Sequence, residues 1–311
     1  MRILITGITG FVGQSLSVRA LKNGFKIRCA LRKPVVLSGN IDLVVVGEIN
    51  GNTDWSVALS DVDVVIHLAA RLHIMREKAE NPLEEFRKVN VAGTEHLARA
   101  ASAMGVKRFV FVSTVKVSGE YTLPGQAFAE KDPPRPQDAY AQSKHEAEKG
   151  LREIAAQTGM EFVFIRPPLV YGPGVKANFG NLMRAVQGGW PLPLGAVHNQ
   201  RSLVGLDNLV DFIVTCLSHP QAANQIFLVS DGKDLSTTEL VRGMAQAAGV
   251  PARLLPVPVW ALQAGASLLG KGDVFQRLCG NLQVDISKAR NLLGWVPPVS
   301  VAEGLRRAMA V

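Results

Sequence analysis

Tyr140 and Lys144 stand four residues apart in the run AYAQSKHEAE, so on a helix they share one face and lie one turn from each other. A phenol hydroxyl beside an ammonium group is a proton-transfer pair. The positive charge favours phenolate and lowers a pKa that is about 10 in an unperturbed side chain. General acid–base assistance of this kind contributes roughly 10² to 10⁴ in rate. The spacing alone is common; its place in the chain gives it weight. Residues 108–113 (RFVFVS) predict a strand that ends in hydroxyls at Ser113 and Thr114. A proline-rich loop follows at residues 130–136 (EKDPPRP), and the helix carrying Tyr140 begins near Ala139.

A second set of residues is suited to a phosphorylated ligand. Gly7, Gly10 and Gly13 recur at a three-residue beat directly after Ile3, Leu4 and Ile5, an apolar run too brief for a helix and typical of a buried parallel strand. Behind them Val12, Leu16, Ala20 and Leu21 recur at helical spacing until Asn23-Gly24 supplies a stop. In a strand–glycine turn–helix unit one glycine makes the tight turn, one lets the backbone approach a pyrophosphate, and one lets helix pack on strand. The phosphates then sit on N–H groups at the positive end of the helix.

The elements that must position both sets alternate in type. Residues 26–32 (KIRCALR) predict a second strand, 43–46 a third and 63–70 a fourth, with a short helix at 54–59. A long helical region at 82–104 has Leu83, Phe86, Val89, Leu97 and Ala98 on an apolar face and Asn90-Val91-Ala92-Gly93-Thr94 in its middle. Strands alternating with helices predict an α/β fold, a doubly wound parallel sheet with right-handed crossovers. Ligands in such sheets bind beyond the carboxyl ends of the strands, where the glycine turn, Ala69-Ala70 and Ser113-Thr114 all fall. The residue ending the second strand faces the adenosine ribose: an acid there suits a free 2′-hydroxyl, an arginine a 2′-phosphate. Arg32-Lys33, with no acid nearby in sequence, predicts a preference for NADP(H), with NAD(H) as the alternative.

Composition bounds the rest. The chain has 311 residues, 47% hydrophobic and 19% charged, which is a globular balance. Cys29, Cys216 and Cys279 are far apart and odd in number, so neither a disulfide framework nor a metal site is expected, and a cytoplasmic setting is. No charged leader and apolar core precede the first strand, so no signal peptide is expected. Residues 257–269 (VPVWALQAGASLL) are the most membrane-like stretch. They are shorter than the roughly 20 residues of a span and are interrupted by Gln263 and Ser267, which predicts a buried or interfacial helix and no integral membrane segment. The net charge is +8, and no acidic residue precedes Asp42, whereas Arg2, Arg19, Lys22, Lys26, Arg28, Arg32 and Lys33 do. Without a basic stripe interleaved with aromatics, this pattern points to a small anionic ligand and away from nucleic acid.

These residues resemble the extended short-chain dehydrogenase/reductases that act on nucleotide sugars, the NAD-dependent epimerase/dehydratase group. The resemblance rests on Gly7-Ile8-Thr9-Gly10-Phe11-Val12-Gly13, His67-Leu68-Ala69-Ala70, Asn90-Val91-Ala92-Gly93-Thr94, Phe111-Val112-Ser113-Thr114, Tyr140-Ala141-Gln142-Ser143-Lys144, Arg166-Pro167-Pro168-Leu169-Val170-Tyr171-Gly172-Pro173-Gly174, Asp285-Ile286-Ser287-Lys288 and Leu293-Gly294-Trp295. They occur in family order over nearly the whole chain. The resemblance implies that Tyr140 is the catalytic acid/base and that Lys144 holds the nicotinamide ribose. Thr114 then bonds the reacting sugar oxygen, with Ser113 as its neighbour and substitute. It implies further cofactor contacts from Gly7, Thr9, Gly10, Phe11, Val12, Gly13, Leu68, Ala69, Ala70, Asn90 and Pro167. On the substrate side it implies Asn178, a base-packing loop Trp190-Pro191-Leu192-Pro193-Leu194-Gly195, and Arg201 on the diphosphate, where a planar fork suits phosphate oxygens. Arg277 is a second phosphate candidate, although its spacing to Asp285 departs from the family's usual one.

Two departures narrow the chemistry. The 4,6-dehydratases of the family carry an acid pair after the catalytic hydroxyl, and Val115-Lys116 stands there instead. The tyrosine usual before the glycine of that loop is replaced by Ser118, ahead of Gly119. What remains is hydride chemistry at C4 of a UDP-sugar. Arg32-Lys33 favours a 4-ketoreductase consuming exchangeable NADPH, and the run Val115-Lys116-Val117-Ser118-Gly119-Glu120 with the segments 169–179 and 283–288 is similar to bacterial reductases of UDP-4-keto-6-deoxy-N-acetylhexosamines in surface polysaccharide synthesis. A UDP-hexose 4-epimerase, acting on UDP-glucose or UDP-N-acetylglucosamine, is the alternative. A non-catalytic redox sensor is more distant, because such proteins typically lose the tyrosine or the lysine. The expected division is a Rossmann domain of residues 1–165 and 202–230 and a smaller nucleotide-sugar domain of 166–201 and 231–311. The resemblance also implies a homodimer through helices that include those carrying Asn90 and Tyr140.

Overall fold

Ile3 and Ile5 point to one side of the first strand and Leu4 to the other, and all three are fully buried. This alternation, repeated from strand to strand, builds a sheet covered on both faces. The structure is a computed structural model that describes residues 1–35, 39–72 and 81–310. The described strands are β1 (Arg2–Thr6), β2 (Lys26–Leu31), β3 (Ile41–Val45), β4 (Val64–His67), β5 (Arg108–Val112), β6 (Glu161–Arg166), β7 (Leu169–Tyr171), β8 (Leu203–Gly205) and β9 (Gln225–Leu228). Seven of them form one parallel sheet in the order β3-β2-β1-β4-β5-β6-β9. On one face Ile3, Ile5, Ile66, Val110 and Ile165 pack with Leu16 and Ala20 of the helix Phe11–Lys22 and with Leu209, Phe212 and Ile213 of the helix Leu206–Ser218. On the other, Leu4, Val65, Phe109, Phe111 and Phe164 pack with Leu97 and Ala101 of the helix Thr94–Ala103 and with Ala147, Leu151 and Ile154 of the helix Ala139–Thr158. Each of the buried Val, Leu, Ile and Phe side chains contributes roughly 1.5–3 kcal/mol by leaving water.

The doubly wound α/β fold expected from the sequence is therefore present, and its strand order reverses at β1, which lies between β2 and β4. A crevice opens at such a switch point beyond the carboxyl ends of the strands. The stretch 43–46, read as an apolar strand, falls in β3 at the edge of the sheet, where Leu43 and Val45 are exposed and Asp42 holds Arg28 of β2 at 2.6 Å. The long helical region is broken into three pieces. Asn81 caps the helix Pro82–Arg87 by accepting from the Glu84 N–H, Lys88–Gly93 widens into π-helical turns, and Thr94–Ala103 resumes as α-helix. Asn90 lies in the widened segment, a feature that often accompanies functional sites.

β8, assigned by sequence to the same unit as the main sheet, pairs outside it with β7, Leu169 opposite Leu203 and Tyr171 opposite Gly205. The following helix and β9 do return to the main sheet. Around the small sheet a third core gathers Tyr171, Phe179, Met183, Leu240, Met244 and Leu305. Tyr171 and Asp231 pin these parts together: the phenol donates to Asp231 Oδ2 at 2.7 Å, while Oδ1 accepts from the Gly205 N–H and from Asn208, each at 2.7 Å.

Candidate active site

At the switch point the loops after β1 and β4 touch so closely that only glycine fits. Gly7 has a φ of 74°, and a Cβ there would stand 2.7 Å from the Ala69 nitrogen. A Cβ on Gly13 would stand 2.4 Å from the Gly7 carbonyl oxygen, which already accepts the Gly10 N–H at 3.0 Å. The helix Phe11–Lys22 starts without a side-chain cap and without an acid in its first turn. Its first N–H groups therefore have no partner within the helix, at its positive end. Thr9 and Gly10 are exposed, and Phe11, Val12, Leu68, Ala69 and Ala70 are half-buried around them. Thr6 Oγ1 accepts the Ala69 N–H at 3.2 Å, which ties the two loops together. These residues fit a dinucleotide pyrophosphate: backbone donors are presented where a side chain would block approach.

The helix Ala139–Thr158, which carries Tyr140 and Lys144, is fixed at its start by Asp138, whose Oδ1 accepts the Ala141 N–H at 2.6 Å, and ends at Gly159 with φ 74°. Tyr140, Lys144 and Glu148 recur at four-residue spacing and so line one face. Lys144 is buried with its Nζ 3.8 Å from the centre of the Phe111 ring. Burial pulls the Lys144 ammonium down to about 7, against the opposing charge of Glu148. Burial, with the Asp138 carboxylate second, pushes the Tyr140 phenol up to about 12. The expected lowering of Tyr140 by Lys144 is therefore not met in this chain by itself. Desolvation disfavours the charged form of both groups and outweighs their attraction.

The two hydroxyls at the end of β5 are separated by the fold. Ser113 is buried and donates to Glu148 Oε1 at 2.7 Å, and Arg166 grips both oxygens of the same carboxylate. Burial would raise Glu148, but the hydrogen bonds and charge of Arg166, with Ser113 and Arg152, hold it below the usual range. Thr114 remains half-buried on a tight turn, accepting the Lys116 N–H at 3.3 Å, while the Pro167 carbonyl accepts the Val115 N–H at 2.9 Å. Thr114 is thus the hydroxyl left for a ligand, and Ser113 braces the layer beneath. Lys116, read from sequence only as a missing acid, reaches Glu120 Oε1 at 2.7 Å and Asp138 Oδ2 at 2.6 Å. It thereby couples the Thr114 turn to the cap of the Tyr140 helix.

Asn90 is buried and joins three segments. Its Oδ1 accepts the Arg71 N–H at 2.8 Å, and its Nδ2 donates to the Arg71 carbonyl at 3.1 Å and to Ser143 Oγ at 3.0 Å. Its amide is occupied in holding the loop after β4 against the Tyr140 helix. His67, at the end of β4, lies between Thr6 Oγ1 at 2.7 Å and Thr94 Oγ1 at 3.0 Å and stacks on Phe111.

On the substrate side Arg201 is half-buried, donates to the Gly280 carbonyl at 3.0 Å, and has no carboxylate partner among the described residues. Burial lowers its pKa by disfavouring the charge, and with no carboxylate to offset that cost the guanidinium is suited to an anion. Asn178 is exposed in the first turn of the helix Ala177–Gln187, beside Ala177 at φ 56°. Leu192 pairs with Leu254, so the 190–195 loop is anchored on its far side. Arg277 is exposed on the helix Gly272–Cys279, apart from these contacts. Arg32 follows β2 as expected, but an acid does come near: Glu48 Oε1 is 3.7 Å from Arg32 Nη1, the two side chains being 70% and 68% exposed. Lys33 is exposed and unpaired among the described residues. Sequence reading missed Glu48 because it arrives from the neighbouring edge of the sheet, and it gave Glu148 no role although the four-residue beat from Tyr140 pointed to it.

Comparison with known proteins agrees with this geometry. The chain is 50% identical over 307 residues to a UDP-glucose 4-epimerase of Vibrio cholerae, covering 98% of this chain and 93% of that one. A UDP-N-acetylglucosamine 4-epimerase of Bacillus cereus superposes with a TM-score of 0.80 at 20% identity over the whole of both chains. A UDP-glucuronic acid 4-epimerase of Bacillus cereus in complex with NAD superposes with a TM-score of 0.79 at 22% identity, covering 99% of this chain and 95% of that one. Residues 3–230 match the NAD dependent epimerase/dehydratase family as a unit, and it is to this family of extended short-chain dehydrogenase/reductases that the chain belongs.

Proposed function

We propose that this protein is a nucleotide-sugar 4-epimerase that removes and returns a hydride at C4 of a UDP-hexose. The observation that carries this reading is the convergence of Tyr140, Lys144 and Thr114 on the carboxyl edge of the sheet beside the glycine cradle. In this reading residues 1–165 with 202–230 hold the dinucleotide and the remainder holds the sugar nucleotide. Gly7, Gly10, Gly13 and the first turn of the helix behind them would hold NAD, with Leu68, Ala69, Ala70 and Pro167 around it. Bound there, the nicotinamide ring supplies the hydride acceptor and donor. Tyr140 takes the C4 hydroxyl proton as base and returns it as acid, and Thr114 hydrogen-bonds the same oxygen. Lys144 supports the phenolate, and Arg201, with Asn178 and the 190–195 loop, engages the diphosphate and base. Lys116 in place of an acid leaves no carboxylate on that turn for a 4,6-elimination.

Glu48 supports NAD, because its exposed pair with Arg32 is a weak one and it can instead accept from a free ribose 2′-hydroxyl. A 4-ketoreductase using NADPH is the second reading, favoured by the exposed and unpaired Lys33 beside Arg32. Native mass spectrometry of freshly purified protein, followed by assay, separates them. Retained NAD near one per chain, with UDP-glucose and UDP-galactose interconverted without added cofactor, supports the epimerase. Protein that carries no nucleotide, is stabilised by NADPH far more than by NADH, and reduces a UDP-4-keto sugar sinks it.

A further inference from the structure

Two contacts of the proposed substrate region bracket an excursion of the chain. On entry the Leu192 N–H donates to the Arg253 carbonyl and the Leu255 N–H to the Leu192 carbonyl, each at 2.8 Å. On exit the Gly280 carbonyl accepts from Arg201. Between them stand the helices Val259–Leu268 and Gly272–Cys279, neither of which has a single buried residue. The first is apolar on both sides. Ala261, Leu262, Gly265 and Ala266 are half-covered, whereas Trp260, Leu268 and the following Leu269 are 73%, 89% and 70% exposed. Residues 254–270 carry no charge, and the excursion is edged by the exposed cations Arg253, Lys271 and Arg277. None of the three has an ion-pair partner among the described residues, and Asp273 is the one acid between positions 240 and 284.

An uncharged stretch with an outward tryptophan and leucines, edged by unpaired cations, matches the chemistry of a bilayer interface: acyl chains for Trp260 and Leu268, anionic headgroups for the rim. Ten residues of helix reach only about 15 Å, and no described helix is long and apolar enough to cross a membrane. Such an element lies on the surface. A second copy of the chain fits less well, because a symmetric contact through this face brings two sets of the same unpaired cations to one rim. We propose that residues 259–279 dock this protein peripherally on an anionic membrane surface. Trp260 and Leu268 enter the interface, and Arg253 and Lys271 meet the phosphate headgroups. Docking turns the segments that flank the proposed sugar-diphosphate site toward the bilayer; the docking itself does not depend on that assignment.

The test is co-sedimentation of the full chain with vesicles of mixed phosphatidylglycerol and phosphatidylcholine, and with phosphatidylcholine alone. Binding is expected to the mixed vesicles and to weaken as salt is added. Trp260→Glu combined with Leu268→Glu should lower partitioning at least about tenfold, and Arg253→Ala or Lys271→Ala about fivefold each. The circular dichroism melt and the turnover of soluble substrate should be unchanged. No binding to the mixed vesicles, or equal binding by the double variant, overturns the proposal. So does a wild-type dimer that ignores vesicles and becomes monomeric in the double variant, since the face then belongs to a second copy.

Discussion

Glu148 receives Arg166 through both of its oxygens, at 2.9 and 2.6 Å, and the two side chains are 0% and 1% exposed. The same carboxylate accepts from Ser113 and opposes the loss of charge on Lys144 one turn earlier in the helix. A buried pair of this kind is a joint between β6, the end of β5 and the helix Ala139–Thr158. Removing one partner leaves an uncompensated buried charge, which typically costs about 3–5 kcal/mol. Arg166→Met should lose stability on that scale in urea unfolding. Glu148→Gln should lose at least as much, because Arg166 is then a buried cation left with Ser118, whereas Glu148 without Arg166 still has Ser113 and Arg152. Equal stability of Arg166→Met and the wild type would show that the joint is not structural.

Tyr140→Phe keeps the ring, whose centroid lies 6.1 Å from that of Phe86, and removes the hydroxyl. Turnover should fall by roughly 10² to 10⁴, the span of acid–base assistance, while cofactor still protects the protein against heat. Loss of cofactor protection with the hydroxyl would assign Tyr140 to binding.

Asp138 raises the Tyr140 phenol and also caps its helix, so charge and cap can be separated by substitution. Asparagine is as good a cap as aspartate. Asp138→Asn should preserve the melting temperature within a few degrees and move the acid limb of the kcat/KM profile, where the phenol must lose its proton, to lower pH. A limb that stays in place would mean that burial alone sets the Tyr140 value.

Much of this was legible in sequence because it is local. The β1–glycine–helix unit reads off spacing, since the tight turn and the helix period both act within a dozen residues. Tyr140, Lys144 and Thr114 fall where alternation of elements puts them. What escaped depends on strands that are distant in sequence and adjacent in the sheet. Glu48 meets Arg32 only because β3 lies beside β2, and Glu148 acquires its role from Arg166 on β6. The raised Tyr140 phenol escaped for a related reason: a four-residue spacing shows that Lys144 is near, but not that both groups are desolvated. The pairing of β8 with β7 could not be read either, because three apolar residues carry no record of which sheet they join.

His67 makes a pH prediction whose sign can be worked through. Burial first, and the neighbouring Lys144 ammonium second, lower its pKa from 6.5 to about 3 in the folded protein. Above pH 6.5 the imidazole is neutral in both states and contributes nothing. As pH falls below 6.5 the unfolded chain takes up a proton that the folded chain refuses until about 3, so stability drains across that window. Lys144 adds nothing to this limb, because its folded value near 7 and its unfolded value of 10.5 both lie above it. One refused proton amounts to about 1.4 kcal/mol per pH unit. His67→Gln removes the titration, so although it is less stable near neutrality, having lost the fit between Thr6 and Thr94, its unfolding free energy should fall less steeply with acid. Urea unfolding of both proteins at a series of pH values between neutrality and mild acid reads the two slopes. Parallel slopes would mean that His67 is protonated in the fold and that the acid limb belongs to the carboxylates.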